Sequence, residues 1–105
     1  MRDDERDAVM ASTRQIVDES HRIGVQFLIA DLGVALTFLD VAETTRSEET
    51  RKRNRENART AYNAVRRFLP RLSPSEEERA ELEAKLSTLT SRLRELGYVL
   101  DSASG

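Results

Sequence analysis

A chain of 105 residues fits one domain with a small core. It has no cysteine, which excludes disulfides, thiol chemistry and thiolate metal sites. Charged residues make up 34% of the chain but the net charge is only -2, so the overall balance singles out no nucleic acid, membrane or acidic substrate. That balance hides a segregation. Residues 1–45 carry nine acids and four bases, residues 46–72 nine bases and three acids, and residues 73–105 seven acids and four bases. Four Gly, two Pro and 5% aromatics suit helices and argue against a β-rich fold.

The N-terminus, MRDDERD, is acidic and has no apolar run behind it. It is not expected to be a secretory signal, and a cytoplasmic location is the default expectation. Asp3, Asp4, Glu5 and Asp7 suit the start of a helix, where the backbone dipole favours negative charge. Val9, Ile16, Ile23 and Phe27 continue a helical face. His21, Arg22 and Gly24 resemble a helix end, yet no capping residue follows before Asp31. Two arrangements compete: one helix over about 4–45, or a break near 22–31 with Asp31 as the new N-cap. The absence of caps favours the long helix.

The most apolar stretch is FLIADLGVALTFLDVA, residues 27–42. At 100° per residue, Gln26, Gly33, Thr37, Asp40 and Thr44 share one stripe, with Leu28, Leu32, Ala35, Leu36, Leu39 and Ala42 opposite. A membrane span needs about 20 apolar residues with few charges. These sixteen residues hold two aspartates, so the expectation is a core helix, with Leu32, Leu36 and Leu39 buried. Asp40 belongs to the polar stripe. Asp31 projects on the apolar side, where a carboxylate needs a partner; Arg59, Arg66, Tyr62 and His21 are the types available.

Thr45-Arg46-Ser47-Glu48 is a candidate capping box for a second helix over about 48–69, which Pro70 ends. Ser73-Pro74-Ser75-Glu76 reads as the start of a third, with Ser73 as N-cap and Pro74 at the first helical position. Leu82, Leu86, Leu89, Leu93 and Leu96 then form one stripe, and Gly97 with Tyr98 fits a Schellman ending. This helix covers about 74–96, and residues 98–105 make a tail. The short link between the second and third helices imposes a hairpin. The expected fold is therefore all-α and single-domain: an antiparallel hairpin packed by a long N-terminal helix, a three- or four-helix bundle.

Ala58, Tyr62, Val65, Phe68 and Pro70 resemble the second helix of a tetratricopeptide repeat, with Val65 standing where that family has Ala. The first-helix signature of Trp, Leu-Gly and Tyr is absent upstream, where TRSEETRKRNR stands. The resemblance covers about half of one repeat and implies a helical hairpin suited to binding protein.

Candidate chemistry is sparse. Asp18 and His21 stand three apart, as a helical metal pair does, but the pair occurs once and is read as solvated, with no metal or cofactor expected. No Ser-His-Asp pattern or glycine-rich phosphate loop stands out, and no enzymatic activity is expected. Arg51, Lys52, Arg55, Arg59 and Arg66 lie on the second helix, the last four in one stripe. Such a stripe can follow phosphates or pair with the acidic segments. The expected function is a protein–protein interaction or assembly module, a homodimer, with nucleic-acid binding through the Arg stripe as the alternative.

Overall fold

The computed structural model describes residues 3–100, and side chains from Gly24 onward. It is all-α: α1 spans Asp3–Thr44, α2 Glu48–Phe68 and α3 Glu76–Glu95, with a 3-10 turn at Leu69–Arg71. No strand occurs among the described residues. The first helix runs unbroken through Gly24 and Asp31, so Asp31 is not an N-cap. Gly24 is tolerated inside the helix because a close neighbour occupies its open side. A Cβ placed there would meet Leu72 Cδ2 at 3.2 Å.

The caps explain the other boundaries. Ser47, in extended backbone, accepts from the Thr50 N–H and starts α2. Thr45, the expected N-cap, instead accepts from the Ser47 N–H and helps turn the chain after α1. Two capping boxes compete at α3, Ser73–Glu76 and Ser75–Glu78. The structure uses the second: Ser75 Oγ accepts from the Glu78 N–H, and the Glu78 carboxylate accepts from the Ser75 N–H at 2.9 Å. Glu78 also accepts from Gln26 Nε2 of α1 at 2.9 Å, a tertiary bond that favours this register and leaves Pro74 outside the helix. At the far end Gly97 adopts φ +94°, and the Tyr98 N–H reaches the Leu93 carbonyl at 3.1 Å, the expected Schellman motif.

The long-range bonds fix the topology. Arg51 of α2 reaches the end of α1, while Leu72, just beyond α2, sits beside Gly24. Hence α2 runs antiparallel to α1. Glu78 meets Gln26 and Arg92 meets Asp40 and Glu43, so α3 runs parallel to α1. The arms of the hairpin touch each other less than each touches α1, which is the central element. The core joins Leu28, Leu32 and Leu39 of α1 to Tyr62 and Val65 of α2 and to Leu82, Leu89 and Leu93 of α3. Ala35, Ala58 and Ala61 are also buried. Small residues there let α1 and α2 approach closely. Leu36 is only half-buried, short of the expectation, because it lies at the edge of the inner face. No polar or charged residue is buried among the described side chains.

The hairpin covers only half of α1. Its tip, at residues 69–75, is level with Gly24–Gln26. Residues 3–23 therefore run on past it for about 30 Å, at about 1.5 Å per residue. The molecule measures 67 × 29 × 20 Å and its radius of gyration is 18.5 Å. A compact domain of this length has about 13 Å.

The apolar stretch is longer than the sixteen residues first singled out. Gly24–Thr44, 21 residues containing an 18-residue stretch with a mean hydropathy of 1.8, is by length and composition apolar enough to cross a membrane. Its inner face is the core just described. Its outer face leaves Phe27 67%, Val34 48% and Val41 40% exposed. The expected acidic helix start, the Val9–Ile23 side chains, the Asp18–His21 pair and the last five residues of the tail lie outside the described side chains. Tyr98 and Leu100, placed in the tail by sequence, pack against the core.

Candidate functional site

Three surfaces carry the residues singled out by sequence. The first is the Arg stripe of α2, whose members have unlike roles. Arg51 is a clasp. Its Nε donates to the Ala42 carbonyl at 3.1 Å, one terminal nitrogen donates to the Thr45 carbonyl at 2.7 Å, and the other pairs with Glu48. A guanidinium fork thus satisfies carbonyls at the C-terminal end of α1, which no following turn of helix reaches. Lys52 is exposed. Arg55 and Arg66 are half-buried, and the Nε of each is out of solvent without a hydrogen-bond partner. Arg59 lies over the Tyr98 ring, 5.5 Å from its centre, a cation–π contact.

The expected pairing of this stripe with acidic segments occurs elsewhere. Among the described residues Arg55, Arg59 and Arg66 form no ion pair, whereas Arg92 of α3 bridges Asp40 and Glu43 of α1, each at 2.9 Å. Burial works against the charge on Arg92, but its bonds to Glu43 and Asp40 outweigh that and raise its pKa. Beside the stripe, the Tyr98 hydroxyl donates to Glu56 at 3.2 Å. Its pKa is raised, first by burial and then by that bond.

The second surface is a concavity of about 300 Å³ between α2 and α3, lined by Arg66, Glu83, Leu86, Ser87, Thr90 and Arg94. It is open and mixed in charge.

The third is an apolar groove of about 420 Å³ where α1 meets the hairpin tip, lined by Gly24, Phe27, Leu28, Asp31, Phe68 and Leu72. Asp31 sits here half-exposed, with no hydrogen bond or ion pair among the described residues. The partner expected for it is not needed, because Asp31 stands at a rim that water reaches. Phe68, 44% exposed, borders the groove with Arg71 over its ring at 5.8 Å. Sequence signals pointed to neither Phe68 as a surface residue nor the outer line of Phe27, Val34 and Val41. Their seven-residue spacing was the available clue. Among the described residues no cluster of three metal-ligating side chains occurs.

These surfaces belong to an elongated three-helix protein. Comparison with protein-family models, with curated proteins and with solved structures finds no match for the chain.

Proposed function

We propose that this protein is a small helical assembly module that binds by contact and self-associates through α1. One observation carries this: α1 runs on for 21 residues beyond the hairpin that covers its other half. A helix standing alone in water is marginal, and most helical stability comes from packing an apolar face. The outward Phe27, Val34 and Val41 on the covered half add apolar surface of the kind that marks interaction sites. The likeness of α2 to half a tetratricopeptide repeat points the same way.

Coupling of folding to association makes stability depend on concentration. The thermal midpoint is expected to rise by several degrees between about 1 and 100 μM chain. A midpoint that does not move over that range removes the assembly reading.

A second reading rests on Arg55, Arg59 and Arg66, which have no ion-pair partner among the described residues. Together with Lys52 they would contact phosphates of RNA or DNA. Such binding falls steeply with salt and weakens when Arg55 and Arg59 become Glu. Lack of retention of nucleic acid in a low-salt filter assay removes it.

A further inference from the structure

The outer face of α1 carries a second apolar line, opposite the core. Phe27, Val34 and Val41 are exposed and seven residues apart, with Ala30 and Thr37 exposed between them. Carried back along the helix, the same alternating spacing of three and four falls on Ile23, Ser20, Ile16, Thr13 and Val9. The line thus runs over nearly five heptads, the pattern of a coiled-coil seam.

We infer that a second copy of this chain covers this line, its α1 lying antiparallel, with residue i of one copy level with residue 50 − i of the other. This rests on the assembly reading above and specifies its partner surface. The line is self-complementary in that register. Val9 meets the partner's Val41, Ile16 its Val34, and Ile23 its Phe27, while Ser20 meets Ala30 and Thr13 meets Thr37. Every bulky position finds a bulky one and every small position a small one.

The flanks select the direction. On the side towards α2 the positions next to the seam are Met10, Val17, Gly24, Asp31 and Phe38. On the other side they are Ser12, Glu19, Gln26, Gly33 and Asp40. One flank is mainly apolar and the other polar. Antiparallel helices set each flank against its own copy, whereas parallel helices set each against the opposite flank. Only the antiparallel pair joins apolar to apolar. Across the matching flanks the partner's Val17 is the position nearest Asp31, two residues off its level, beside the groove of Phe27, Phe68 and Leu72. The antiparallel pair also brings Asp3, Asp4, Glu5 and Asp7 level with residues 43–47 of the other copy, next to Arg46 and about a turn short of the run Arg51, Lys52 and Arg53 that follows the acidic first turn of α2. A parallel pair would set the two acidic ends side by side. Lengths agree as well: α1 has 21 residues before Gly24 and 21 from Gly24 on, so each overhang covers the partner's outer face.

The chain has no cysteine, so introduced thiols report without background. Ile16→Cys and Val34→Cys are prepared as separate full-length proteins and treated with a short bis-maleimide, alone and after mixing. Masses of the linked species are read by mass spectrometry. The antiparallel register predicts linking between the two variants in the mixture and none within either alone, since equal positions then stand about 27 Å apart along the axis. Linking of each variant to itself overturns the register and leaves self-association standing. No linking while light scattering still gives a dimer shows that the dimer uses another face. No linking with a monomeric mass, with or without binding to phosphatidylcholine–phosphatidylglycerol vesicles, overturns the register and the assembly reading together.

Discussion

Arg51 shows how much one side chain holds at the hinge between α1 and α2. It gives two hydrogen bonds from a charged donor to carbonyls at the end of α1. Arg51→Ala is expected to cost about 1–2 kcal/mol, seen as a lower denaturant midpoint with unchanged slope. Arg51→Lys is expected to recover little, because an ammonium cannot reproduce the fork. An unchanged midpoint for Arg51→Ala would show that the clasp is idle. Tyr98 gives a pH signature. Its pKa in the folded state is raised, so the folded protein holds that proton more tightly than the unfolded chain. The stability this contributes is full below the unfolded value near pH 10 and is lost as pH climbs beyond it. Wild type minus Tyr98→Phe should therefore shrink in unfolding free energy above about pH 10; a difference that stays flat to pH 11 contradicts it. At this scale the sequence was legible where a local motif decides, as with Gly97. It misled where tertiary contacts choose between equivalent motifs. Ser73 and Ser75 both head a capping box, and the bond from Gln26 to Glu78 picks the second. Asp31 was placed inward by a helical wheel that has no knowledge of where the neighbouring helix ends.

Among the elements, α1 is the one whose composition and surroundings diverge most. Leu32 is fully buried between both arms of the hairpin, and Leu32→Ala is expected to cost about 2–5 kcal/mol, whereas half-buried Leu36→Ala costs less. Equal midpoints for the two variants would mean that the inner face is drawn wrongly. The glycines offer the opposite test. Nothing lies within 4 Å of a Cβ added at Gly33. Gly33→Ala should thus stabilise the helix by up to about 1 kcal/mol. Gly24→Ala should gain less, because Leu72 Cδ2 at 3.2 Å must yield. A Gly24→Ala protein more stable than Gly33→Ala would show that Leu72 does not press there. Helix identity was plain in the sequence, since caps, Pro70 and the leucine stripe of α3 all agree. Which face of α1 is covered was not. The helix has two apolar lines, one through Leu28, Leu32 and Leu39 and one through Phe27, Val34 and Val41, and periodicity alone cannot say which of them the hairpin takes. Val9, Ile16 and Ile23 were joined in the sequence to Phe27, and Phe27 is on the outer line.

For the whole molecule the controlling fact is the mismatch between a 42-residue helix and arms of 21 and 20 residues. Such a shape leaves half of α1 without a neighbouring helix among the described residues, and it accounts for a radius of gyration well above that of a compact domain. The segregation of charge, acidic over α1 and basic over α2, fits an assembly in which the end of one α1 reaches the α2 of another copy. Light scattering behind a sizing column, at micromolar concentration and moderate salt, measures the mass of the particle directly. Self-association through α1 predicts a particle near 24 kDa, twice the 11.9 kDa of one chain. A particle that stays near 11.9 kDa when concentrated contradicts it.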